Sequence, residues 1–205
     1  MAHEMEFAAL LAQARQADGE LRGAAVTGQT IVQTDGTQVE FVKVTFRSCQ
    51  FVQVSFAGAS FYECTFESCR FEGCDFSRTY WRDCTLEACK SDGGLFTKCK
   101  MKSVCFRSCR MRYANFALSS WTRCTLCGGS FRETGFAQMQ LEKTAVSGVD
   151  FTGAEFYQTP LAGIDFSDSI LEGIVLSEGC KELRGAKISA MQAAAIVRLL
   201  GVQVL

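Results

Sequence analysis

From Phe41 onward a large apolar side chain returns at every fifth residue. Steps of five land on Phe41, Phe46, Phe51, Phe56, Phe61, Phe66, Phe71, Phe76, Trp81 and Leu86, and continue through Met101, Phe116, Trp121 and Phe156 to Leu176. Of the 28 positions in this series 27 are large and apolar, and they hold 16 of the 17 phenylalanines and both tryptophans. Two residues earlier runs a second series of small or medium side chains (Val39, Val44, Cys49, Val54, Ala59, Cys64 and onward), which takes nine of the 12 cysteines. The other three positions of each repeat are mostly polar, charged or glycine. Helices repeat every 3.6 residues and strands every two, so neither accounts for a period of five. A backbone that turns a corner every five residues does: one large and one small side chain point inward per side, and four sides close a coil of about 20 residues. Coils stacked at the spacing of hydrogen-bonded strands, about 4.8 Å, turn these repeats into some seven coils and a rod of about 34 Å.

The order of small, polar, Leu or Phe, polar, polar resembles the pentapeptide-repeat family, and the match runs from about Val39 to Glu178. That resemblance implies an all-β solenoid, a right-handed quadrilateral β-helix. The expected organisation is an N-terminal cap over 1–38, made of a helix and an irregular first coil, then the repeat over 39–180, then a C-terminal helix and tail over 181–205. The cap helix is read from Glu4 to Ala17, with Phe7, Leu10 and Leu11 on one face. Leu21, Val26 and Ile31 keep the five-step phase, and Gln33 to Thr37 reads as a turn that interrupts it.

Residues 20 apart fall on one side of such a rod. One column is Phe56, Phe76, Phe96, Phe116, Phe136 and Phe156, six rings in line. Cys49, Cys69, Cys89 and Cys109 make another straight ladder. Parallel side chains on a ladder neither converge on a metal nor point at each other, so the cysteines are expected to be reduced, metal-free and present for their volume. Ser91 is the exception in the large series, with Gly94 in the small series and Leu95 beside it. A bulge or an inner void is expected there.

The 21 Lys and Arg balance 22 Asp and Glu, for a net charge of −1, which offers no overall attraction to nucleic acid or membrane. No apolar run is long enough to span a bilayer, and the acidic start from Met1 to Leu11 makes a poor signal peptide, so a cytoplasmic protein is expected. The charge is uneven along the rod. Residues 70–132 carry 12 Lys or Arg against five Asp or Glu, whereas 133–182 carry nine acids and two lysines. The acids Asp165, Asp168, Glu172 and Glu178 and the apolar residues Leu118 and Tyr157 are the candidate partner surface. The sole histidine is His3 and no nucleophile–base pair stands out, so neither an enzyme nor a bound cofactor is expected.

Ser189 is placed to cap a helix ending near Gly201. Met191, Ala195, Ile196, Leu199, Leu200, Val202, Val204 and Leu205 are more apolar surface than one cap needs, which points to a two-fold dimer through this end. The segments Met191-Gln192-Ala193 and Leu200 to Val204 are similar to the C-terminal helix and strand of the Qnr and MfpA branch of the family. Membership of that branch would imply dimerisation there, binding to DNA gyrase or topoisomerase IV by DNA mimicry, and fluoroquinolone resistance. The alternative is a scaffold that binds another protein through a flat side.

Overall fold

The computed structural model describes residues 6–16 and 18–203. The chain winds into a four-sided, right-handed β-solenoid in which every strand pairs in parallel with the residues 20 positions away. The first side is a seven-stranded sheet from Glu20–Arg22 to Gln140–Glu142, and the second is a seven-stranded sheet from Ala25–Thr27 to Ala145–Ser147. The third side holds three strands, Thr30–Val32, Gln50–Val52 and Arg70–Glu72, and continues through Lys90, Arg110, Ser130, Asp150 and Ile170 as single bridges, except that Arg110 and Ser130 pair at the ends of the longer strands Cys105–Arg110 and Thr125–Ser130. The fourth, the side of the phenylalanine column, is built of single bridges alone, from Asp35 through Ser55, Asp75 and Leu95 to Val175.

The corners have their own residue class. From Gly23 to Gly173 every fifth residue except Asp168 has a positive φ. β-Branched side chains are strongly disfavoured in that left-handed region, and no Val, Ile or Thr occupies any of these positions. The two inward series meet at the axis. Rings 20 residues apart lie nearly parallel, with centroids of Phe56 and Phe76 5.0 Å apart, Phe76 and Phe96 4.8 Å, Phe96 and Phe116 4.7 Å, Phe116 and Phe136 5.5 Å, and Phe136 and Phe156 5.2 Å. Neighbouring sides meet edge to face, as Phe116 does with Trp121 at 5.2 Å.

The first coil is regular, contrary to the interruption expected at Gln33 to Thr37. Its strands pair in register with the next coil on three sides, and Asp35 bridges Ser55 on the fourth. Two features keep the phase. Asp35 closes the turn itself by accepting from the Thr37 amide and hydroxyl at 2.9 and 2.6 Å. Gly36 stands where a large residue belongs, and the Phe56 ring leans into the space a side chain there would need. The regular solenoid thus starts near Gly19, and the cap proper is helix α1, Phe7–Gln16. Glu4 and Ala17 lie outside the described residues. Phe7 lies on the open end of the coil with its ring 5.5 to 6.5 Å from those of Phe41, Phe46, Phe51 and Phe56. Leu11 and Ala14 are buried beside it, whereas Leu10 is only half-buried.

The coil at Ser91 is also regular. Lys90 bridges both Arg70 and Arg110, and Leu95 bridges both Asp75 and Asn115. The substitution is absorbed by side chains rather than backbone: a methyl group on Gly94 would run into Ser91 Oγ and the Phe96 ring. Ser91 Oγ is buried without a hydrogen-bond partner.

At the far end the first and second sheets stop one coil before the third and fourth sides do. Each first-side strand from Glu40 to Gln140 opens with an amide that donates one coil back, as Gln140 does to Ser119 O at 3.0 Å. The next such position is Pro160, the chain's one proline, which has no amide to give. Leu141 and Val146, on the strands left uncovered, are half-buried where the earlier members of their columns are buried. The segment after the solenoid then covers the last coil. Glu182, on the 3₁₀ turn Lys181–Leu183, accepts from Leu161 with its carbonyl at 2.9 Å, and its Oε1 takes the amides of Gln158 and Ser177 at 2.9 and 3.2 Å. Helix α2, Ala190–Leu199, follows.

Candidate protein-binding surfaces

Helix α2 is anchored by one polar side chain. Gln192 Oε1 accepts from the amide and hydroxyl of Ser189 at 2.6 and 3.0 Å. Its Nε2 donates to the carbonyl oxygens of Phe166 and Ser169 in the last coil. Ile196 packs against the core, but α2 contains no buried residue. Met191 is 93% exposed, Leu199 39%, Leu200 55% and Val202 50%, while Ala195 is half-buried. A groove of 520 Å³ runs beside the helix, lined among others by Ile170, Glu172, Met191, Ala195 and Leu199. Val204 and Leu205 lie outside the described residues.

The candidate acids do not form one patch. Asp165 and Asp168 share the second side. Asp168 accepts from the Ser147 hydroxyl at 2.7 Å, and Asp165 from the Ser167 amide at 3.0 Å. Both carboxyls are held below their ordinary range, Asp165 by hydrogen bonds from Ser167 and Asp168 by those from the Gly148 backbone and Ser147, so both carry full charge at neutral pH. Glu172 stands on the third side and Glu178 just past the fourth. The four thus spread over three sides of the last coil, and its first side, Pro160 to Ala162, carries none. Leu118 and Tyr157 do share a side: Leu118 donates to Ala137 O at 3.0 Å, and Gln138, one coil on, donates to Tyr157 O at 2.8 Å. With Leu95 and Val175 they make an exposed apolar strip along the fourth side.

The sequence reading missed Gln192 and Glu182, the two polar caps, because each acts on backbone atoms of another coil and only the spatial stacking reveals the partner. All twelve cysteines are unpaired, nine of them buried. Among the described residues no group of three or more His, Cys, Asp and Glu side chains comes together to hold a metal, and no helix is long and apolar enough to cross a membrane.

A family model described as a pentapeptide repeat region matches residues 59–136. No curated protein matches the chain. Among solved structures, a trypsin-treated variant of QnrB1, a plasmid-mediated fluoroquinolone resistance protein, matches with a TM-score of 0.51 at 20% identity, covering 91% of this chain and 100% of that one. HetL, a pentapeptide repeat protein involved in heterocyst differentiation regulation from the cyanobacterium Nostoc sp. strain PCC 7120, matches with a TM-score of 0.35 at 11% identity, covering 87% of this chain and 92% of its own. The five-residue series, the four-sided coil it builds and the family match agree: residues 59–136 are a pentapeptide repeat region, and the same repeat pattern and coil extend on both sides of it.

Proposed function

We propose that this protein is a non-enzymatic binding protein that works as a homodimer of rods joined at their C-terminal ends and engages a type II topoisomerase, DNA gyrase or topoisomerase IV, as a DNA mimic. The observation that carries the reading is the uncovered apolar face of α2 and the tail after it. Met191, Leu199, Leu200 and Val202 leave apolar area in water that a second copy of the same surface would cover, at about 25 cal/mol per Å². Joining the ends brings the acids of both last coils to the centre of a rod of double length. There Asp165, Asp168, Glu172 and Glu178 present charge on three of the four sides rather than on one face. A basic DNA-binding groove would meet negative charge from several directions, and salt would weaken the contact. QnrB1, which shares the fold, is a fluoroquinolone resistance protein, and resistance to such drugs is the outcome this reading predicts. The test is DNA supercoiling by purified gyrase, with and without a fluoroquinolone, over micromolar additions of this protein. A change in supercoiling or in drug sensitivity, weakening as salt rises, is expected. Unaltered activity together with no retention of gyrase at low salt would reject the topoisomerase reading.

A second reading is favoured by the exposed strip of Leu95, Leu118, Tyr157 and Val175. On a side with few charges such a strip suits a scaffold that lays a partner protein along the rod. Leu118→Asp should then abolish capture of that partner and leave any effect on gyrase intact.

A further inference from the structure

Elsewhere on the rod, stacking sets opposite charges against each other. Lys43 meets Glu63 at 3.5 Å, Arg47 meets Glu67 at 2.7 Å, Arg110 meets Asp92 at 2.6 Å and Arg132 meets Asp150 at 3.2 Å. The middle of the first side does the reverse. Arg82 pairs in register with Lys102, and Tyr80 with Lys100. At the adjoining corner Lys98 stacks one coil on from Arg78, their amides donating to Ala117 O and Thr97 O. One coil further, Arg123 reaches only the Ser103 hydroxyl, at 3.4 Å. All six cations are exposed, and among the described residues the sole acid within ion-pair distance of any of them is Asp83, 3.7 Å from Arg82. Like charges directly opposite each other on a sheet are destabilising. Apart from Arg82, which lies near Asp83 and over the Tyr62 ring, these cations gain no partner of opposite charge inside the fold, and a local rule broken in this way marks a candidate functional surface. Two aromatic rings lie in the same patch: Tyr62 and Tyr80, half-buried, with centroids 5.5 Å apart and the Arg82 guanidinium 4.7 Å from the Tyr62 centroid.

We propose that this face of the first side binds single-stranded nucleic acid, its cations holding phosphates and its tyrosines giving unpaired bases a surface to stack on. The tyrosines favour a single strand over an acidic protein, which would need the cations alone. The flat sheet favours a single strand over a duplex, because it offers no helix or ribbon to enter a groove. The whole-chain charge of −1, which argued against a nucleic-acid partner, conceals the patch by averaging over all four sides. The proposal is independent of the C-terminal pairing and of gyrase.

The test is fluorescence anisotropy of a labelled oligo(dT) of about 15 nucleotides against the full chain, over a salt series. The wild type should bind at low salt. Combined Lys98→Gln, Lys100→Gln and Lys102→Gln should weaken binding by at least about tenfold and lower the salt slope by about 2, at roughly 0.7 per phosphate contact. Tyr80→Leu should weaken binding with the slope unchanged, and Arg112→Gln on the third side should change neither. If the triple variant melts early, each single lysine variant should still lower the slope by about 0.7. No wild-type binding, an unchanged triple variant, tighter binding to a duplex of equal length, or binding of labelled polyglutamate in place of the oligonucleotide would each overturn the proposal.

Discussion

At the small inward position the choice of residue is set by a hydrogen bond as well as by volume. Cys49 Sγ lies 3.3 Å from Val26 O, Cys64 Sγ 3.3 Å from Phe41 O, and Cys109 Sγ 3.3 Å from Leu86 O, in each case the carbonyl of the large inward residue one coil back. Ser119 and Thr134 donate to the equivalent carbonyls of Phe96 and Met111 at 2.9 and 2.6 Å. A thiol here is therefore a small hydrophobe with a useful donor. Burial pushes the thiols of Cys74, Cys99 and Cys124 up to about 11 from an ordinary 9.0. Such thiols ionise first in the unfolded chain, so the stability they contribute is complete below pH 9 and lost as pH climbs toward 11. The urea midpoint should be level near neutrality and fall steeply above pH 9; a midpoint flat to pH 11 would contradict this. In the folded protein a thiol reagent should reach exposed Cys127 first, half-buried Cys105 and Cys180 more slowly, and the nine buried cysteines only on denaturation. Ser91 Oγ, buried and unpartnered, is a cost the fold carries. Ser91→Ala should raise stability by about 1 kcal/mol in urea melts, whereas Phe116→Ala, in the middle of the ring column, should lower it by about 3–5 kcal/mol.

The coil as an element was legible in the sequence because one physical requirement, an inward large residue and an inward small one per side, repeats from Phe41 to Leu176 with Ser91 the one departure in the large series. Other features were present in the sequence but needed backbone geometry to be understood. The corner class shows itself only as an absence of β-branched residues at every fifth position, and Pro160 looks unremarkable until the amides one coil earlier are seen to donate. Gly36 read as a broken turn because the ring that compensates, Phe56, comes 20 residues later. Candidate acids were legible as residues but not as an arrangement, since their sides follow from counting corners through the last coil. The caps were least legible. Glu182 replaces a missing coil by offering one carboxylate oxygen to two amides; burial opposes its charge, but hydrogen bonds from the Ser177 side chain and from the backbone amides, those of Gln158 and Ser177 among them, together hold its carboxyl below the ordinary range. Glu182→Ala would leave the amides of Gln158 and Ser177 without that acceptor. Hydrogen exchange at both should then accelerate strongly while amides at the N-terminal coils keep their protection. Uniform acceleration along the rod would mean that the solenoid melts as one unit and that Glu182 is not a local cap.

For the whole molecule the two ends differ, and that difference points to a dimer. The N-terminal end is closed: Phe7 and Leu11 are buried and the α1 amide at Phe7 is taken by Gln29 at 2.9 Å. The C-terminal end is held by the Gln192 hydrogen bonds and a partly buried Ile196, and its remaining apolar side chains face outward. Two copies meeting through Met191, Leu199, Leu200 and Val202 would make both ends equivalent in burial and leave a rod capped at each outer tip by α1. Because Met191 is almost fully exposed and Leu200 more than half exposed within one chain, Met191→Asp with Leu200→Asp should separate the copies without unfolding either. Light scattering at micromolar concentration should give twice the chain mass, 22.5 kDa, for the wild type and the single mass for the double variant, with similar circular dichroism. A monomeric wild type would remove the dimer and with it the acidic centre proposed to face a topoisomerase. A double variant that stays dimeric would move the interface to another surface, with the apolar strip of the fourth side the next to examine.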